Sequence, residues 1–167
     1  MNIKTITAVA LLMSANYALA TDSPINGTVQ PKCSVYTETQ GVYGNPLPNK
    51  LDTLPASGGT KASIRYDVAQ ANFYLARITH PDSFSSSPTL DDAVAWVGSS
   101  VVGQVSVAAM SDYEAAKVIS PVNVTTFDLT LAGSTWFTVS STATYGYNKA
   151  LPAGNYTAII KADCIAK

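Results

Sequence analysis

An all-β fold, a sandwich or a barrel, is what this sequence predicts, and three observations predict it. Apolar and polar residues alternate with a period of two in run after run; Ala62, Ile64, Tyr66 and Val68 interleave with Lys61, Ser63, Arg65 and Asp67. Clusters rich in Gly, Pro, Ser and Asn separate the runs. No helical periodicity of useful length competes with the alternation.

Residues 1–20 read MNIKTITAVALLMSANYALA. Lys4, an apolar stretch from Ile6 to Met13 and the small-x-small end Ala18-Leu19-Ala20 are the parts of a secretory signal peptide. The apolar stretch is too short to cross about 30 Å of hydrocarbon, and no later run is longer, so no transmembrane segment is expected. Residues 21–167 then form a single domain beginning at Thr21.

Within that domain the first predicted strand runs from Asn26 to Glu38 through Val29, Cys33, Val35 and Tyr36. The stretch Asn45 to Pro55, with Pro46, Pro48 and Pro55, reads as a long loop near a sheet edge. Gly58-Gly59 turns the chain into the strand Lys61 to Val68, and Ala71 to Thr79 follows. PDSFSSSP, residues 81–88, reads as a flexible, solvent-exposed loop. Ala93 to Val97, with Trp96, and Val101 to Ala109 read as two strands about a turn at Gly98-Ser99-Ser100. Ser111 to Val118 reads as a short helix or an irregular crossover, with Ser111 and Glu114 spaced as a capping box. Val122 to Leu131, Thr135 to Ser140 and Asn155 to Cys164 complete the set of strands, punctuated by Ala132-Gly133-Ser134 and Pro152-Ala153-Gly154-Asn155.

Composition narrows the function. A formal net charge of −1, with only 13% charged residues, excludes an electrostatically driven binder of nucleic acid or anionic membrane. A hydrophobic content of 47% excludes wholesale disorder. Two Trp, four Phe and many aliphatic residues suffice for a core between two sheets, so stability requires no cofactor.

Cys33 and Cys164 are the only cysteines. In an oxidising compartment two such residues are expected to pair, the rival state being two free thiols. The bond would staple the first strand of the domain to the last.

Little in the chain spells out a reaction, and the expectation is a protein that is not an enzyme. His80 is the only imidazole; Asp82 and the serines at 83, 85, 86 and 87 follow it, yet there is no G-x-S-x-G elbow. His80 is expected to end a strand and face water. Asp91-Asp92 lacks the spacing of a calcium loop and reads as solvated charge, and no metal site is expected. Tyr145-Gly146-Tyr147 is the candidate aromatic ligand platform, with Tyr145 and Tyr147 as ligand contacts.

The two ends carry a resemblance. The segment Ile25 to Val35, INGTVQPKCSV, resembles the first strand of bacterial chaperone–usher pilus subunits, including the spore-coat-U-like group. The tail Leu151 to Ile160, LPAGNYTAII, is similar to their entry into the last strand. That resemblance implies an immunoglobulin-like β-sandwich that is incomplete. A periplasmic chaperone, and later the N-terminal extension of a neighbouring pilus subunit delivered through an usher, would supply the missing strand. It also implies export to the periplasm and then to a fimbrium at the cell surface. Function would follow from strand addition, in which free backbone N–H and C=O groups along an edge pair with an extended segment. Val29, Val35, Ile159 and Ile160 are the candidate edge residues. The alternative expectation is a self-contained secreted sandwich that binds carbohydrate or protein through Trp, Tyr and the loop at 81–88.

Overall fold

β1 (Cys33–Thr39) is the first strand of a computed structural model that describes residues 32–120, 123–147 and 149–167. These residues lie in one compact unit, Pro31–Lys167. The signal peptide predicted at 1–20 and the candidate edge residue Val29 lie outside the described residues. After β1 come β2 (Gly44–Leu47), β3 (Lys50–Asp52), β4 (Ala62–Val68), β5 (Tyr74–Thr79) and β6 (Val94–Val105). A single helical turn, α1 (Tyr113–Ala116), precedes β7 (Val118–Ser120), β8 (Val124–Leu129), β9 (Gly133–Tyr145) and β10 (Lys161–Ala166).

Among the described residues these strands form two antiparallel sheets, which pack as an all-β sandwich. In the larger sheet β9 is the spine. One side of it carries β4, which is flanked by β1, and further along β3, which is flanked by β2. The other side pairs with β6 over nearly its whole length, from Val94 opposite Tyr145 to Val105 opposite Thr135. The smaller sheet runs β10-β5-β8-β7.

Alternation decides what faces inward. Ala62, Ile64, Tyr66 and Val68 of β4 are buried, as are Phe137 and Val139 of β9, Ala76 and Ile78 of β5, and Phe127 and Leu129 of β8. The rings of Tyr66 and Phe137 meet edge to face at 5.5 Å, and Phe127 lies 4.2 Å from Phe137 across the sandwich. Such aromatic pairs contribute beyond their buried area. Tyr66 also donates its hydroxyl hydrogen to the Arg77 carbonyl, 3.1 Å away in the opposite sheet. Burying the ring therefore leaves no polar atom unpaired.

Several expectations change here. Gly98-Ser99-Ser100 is no turn: β6 runs straight through it as one twelve-residue strand. The glycine is there for space, because a Cβ at Gly98 would lie 2.2 Å from the ring carbon Cγ of His80. The proline-rich stretch after Gly44 is not a loop but the antiparallel pair β2–β3, attached to the far end of β9. Pro46 fits because β2 is an edge strand. The tail joins a sheet only from Lys161 onward, with an isolated bridge from Thr157 to Ser86 before it, although the pattern predicts a strand from Asn155.

The helical turn has no capping box. Ser111 Oγ donates to the Ala108 carbonyl at 2.7 Å, and Glu114 serves the sheet instead. Its Oε2 accepts the Val102 N–H at 2.9 Å, and Lys117, paired with Glu114, donates to the Ser100 carbonyl at 3.1 Å. Burial pushes the Glu114 carboxyl up, but the bonds from Lys117 and Val102 outweigh it and hold the group below its usual range. Two side chains thus occupy backbone groups along the outer edge of β6, one way in which proteins blunt an exposed sheet edge.

Candidate functional site

The opposite flank of the sandwich has no such cover. There β1 edges the larger sheet and β10 edges the smaller one. Their inward rows follow from register. Cys33 pairs with Val68, and Val35 with Tyr66, so both face the core; Ala162 and Cys164 oppose Ile78 and Ala76 in the same way. The two rows face each other across a seam. Cys33 and Cys164 close it with the expected disulfide, their Cα atoms 6.3 Å apart. No cysteine is left free.

Away from the disulfide the seam opens. Gly41–Tyr43 on one side and Gly154–Ala158 on the other line a cleft of about 360 Å³ floored by Leu51. Val35 and Ile160 are half-buried and pack on the core from either side of the seam. Ile159 points outward and is 57% exposed. The segment Ala158–Ile160 carries the alternation of a strand, yet it pairs with no strand among the described residues. Of the four candidate edge residues, Val35 and Ile160 thus pack on the core and Ile159 faces solvent.

Tyr145 and Tyr147 do not form a platform. Tyr145 is the last residue of β9, points inward and is 2% exposed, whereas Tyr147 is 88% exposed. Strand parity would have placed them on one side, but the chain leaves the strand at Gly146, whose φ of 41° is the left-handed conformation. Tyr145 is a pillar for the preceding loop: its hydroxyl donates to Asp91 Oδ1 and accepts the Asp91 N–H at 3.1 Å. That hydroxyl, together with Lys149 Nζ at 3.3 Å, holds the Asp91 carboxyl below its usual range.

The aromatic surface lies elsewhere. Phe84 of the serine-rich loop stacks edge-on against Trp96 of β6 at 4.7 Å and against Tyr156 at 5.0 Å. The composition of this loop predicts flexibility, but backbone bonds from Ser85 and Ser86 to Thr157 pin it down. The partner segment is 71 to 72 positions downstream, so nothing local in the sequence announced the anchor.

His80 is 4% exposed rather than at the surface. Its Nε2 lies 3.2 Å from Ser100 Oγ and 3.3 Å from Thr125 Oγ1, and Nδ1 has no partner among the described residues. A hydrolytic triad needs a carboxylate at that second nitrogen and a reachable serine. Ser100 is itself buried, and Asp82 and the loop serines make no bond to the ring. Burial lowers the His80 pKa below 6.5. In the unfolded chain the ring takes up a proton near pH 6.5, whereas in the folded chain it resists until lower pH. Stability is thus fully present above about pH 6.5 and falls as pH drops toward the folded-state value. Urea unfolding between pH 8 and pH 5 is expected to show that decline, and His80→Gln to flatten it. No other histidine exists to confuse the readout.

Among the described residues no helix is long and apolar enough to cross a membrane. No protein-family model and no curated protein matches the chain.

Proposed function

We propose that this chain is an exported, non-enzymatic structural or adhesive protein that assembles by β-strand addition along the β1/β10 edge. The observation that carries the reading is the unpaired stretch Ala158–Ile160 beside an open cleft, patterned as a strand but without a partner strand among the described residues. An extended segment entering there would gain backbone hydrogen bonds from an edge and apolar contacts with Val35 and Ile160. The Cys33–Cys164 bond holds the two edges together at one end and suits an oxidising compartment. Backbone groups on the outer edge of β6, by contrast, are occupied by Glu114 and Lys117. The resemblance of the two chain ends to chaperone–usher pilus subunits names the class of partners: a periplasmic chaperone, an usher and neighbouring subunits.

Size-exclusion chromatography with light scattering tests this. The purified protein is expected to form concentration-dependent oligomers. Ile159→Lys places a charge on the exposed edge and is expected to leave monomers with an unchanged circular dichroism spectrum. A stable monomer at every concentration, with no chaperone present, would overturn the reading.

A further inference from the structure

The seam is not the only built concavity. On another part of the surface a cleft of about 460 Å³ opens between the loop at 82–90 and the start of β6, and its volume lies within the range of small-molecule sites. Trp96, Phe84 and Leu90 line it with apolar surface; Asp82, Ser87 and Thr89 line it with oxygen-bearing groups. We propose that this cleft binds the ring of a neutral saccharide.

Three features converge on that ligand class. The first is rigidity. Ser85 and Ser86 donate backbone N–H bonds to the Thr157 carbonyl at 2.8 and 3.3 Å, and Thr157 N–H returns one to Ser86 at 2.8 Å. Pro88 packs so closely on Gly154 that a Cβ there would lie 2.5 Å from its ring. The far end of the loop is held by Tyr145 and Lys149 at Asp91. A cleft whose walls are already fixed loses little entropy on binding.

The second is the mixed lining. A pyranose presents C–H groups on a ring face and hydroxyls around its rim. Trp96 offers aromatic surface to the first. The carboxylate and hydroxyls serve the second. One oxygen of Asp82 accepts from Ser83 Oγ at 3.1 Å, and the other has no partner among the described residues. A free carboxylate oxygen is a strong acceptor for sugar hydroxyls.

The third is charge. Asp82 is the only charged residue among the described residues that line the cleft, and its sign disfavours uronic acids, sialic acids and phosphorylated sugars. The cleft shares no lining residue with the one at the seam, although Gly154 and Thr157 of the seam brace its loop from behind.

Trp96 fluorescence reports on the site directly once the second tryptophan is removed by Trp136→Phe. The probes are methyl glycosides of glucose, galactose, mannose and N-acetylglucosamine, with methyl glucuronide and tetramethylammonium as controls. At least one neutral glycoside is expected to shift the emission saturably, and methyl glucuronide to bind more weakly. Asp82→Asn and Phe84→Ala are each expected to weaken that glycoside roughly tenfold or more, the scale of an anchoring contact. Near-UV circular dichroism checks that each variant stays folded. Phe84→Leu, which keeps apolar bulk, replaces any Phe84→Ala protein that does not. Saturation by none of the neutral glycosides, affinity indifferent to Asp82→Asn, or saturation by tetramethylammonium alone would each overturn the proposal.

Discussion

The Cys33→Ser/Cys164→Ser protein is expected to lose about 5 kcal/mol of unfolding free energy, the chain-entropy value for a cross-link spanning 131 positions. The reason lies mostly in the unfolded state. An intact bond ties the first described strand to the last, which removes most of the large-scale freedom of the denatured chain. In the folded state the bond asks for little, because β1 and β10 already bring the two Cα atoms to 6.3 Å. For a domain of this size each kcal/mol moves the midpoint by about 2–4 °C, so Tm is expected to fall by more than about 10 °C. Calorimetry on the variant, and on the unsubstituted protein with and without a reductant, measures it. A midpoint unmoved by both treatments would mean that packing of Val35 and Ala162 alone holds the seam.

Gly98→Ala is expected to cost about 3 kcal/mol, the upper part of the range for overpacking a rigid core. An alanine would ordinarily be welcome in a strand, since it restricts the unfolded chain more than glycine does. Here its methyl carbon would sit 2.2 to 2.5 Å from three atoms of the His80 side chain. Moving the ring aside would cost its contacts with Ser100 and Thr125, which hold the Nε2 edge. Urea titration of Gly98→Ala, His80→Gly and the pair gives the coupling, because the His80 Cβ would itself lie 2.4 Å from the new methyl carbon and must be removed with the ring. The prediction is non-additivity: once the side chain at 80 is gone, the added methyl group costs little. Equal cost in both backgrounds would show that strand geometry, rather than the ring, demands glycine.

These two effects mark where local reading succeeds and where it stops. Strand cores were legible wherever one face is buried and the other wet, as in β4 and the first half of β9, because period two is then written into side-chain polarity. The cysteine pair was legible by elimination. The continuous β6 was not: Gly98 reads as a turn residue unless the ring packed against it is known. His80 precedes Asp82 and serines in a polar stretch and reads as a surface residue; its burial depends on β6 and β8, which are remote in sequence. Tyr145 and Tyr147 looked equivalent, and a single left-handed residue between them separates a buried pillar from a free ring. At the candidate edge, Ile159 and Ile160 were legible as strand-forming residues. Their want of a partner among the described residues was not, since pairing is a property of neighbours.

By itself the sequence determined the fold class, the single cross-link and most of the residues that face the core. Those depend on polarity alternating along a chain and on there being only two thiols to join, and both are local or countable. Tertiary structure alone decided which edge stays open, where the aromatic cleft forms and what fills the space above Gly98. Each of those arises from groups tens of positions apart meeting through sheet register and loop anchoring, and no short window of residues encodes such a meeting.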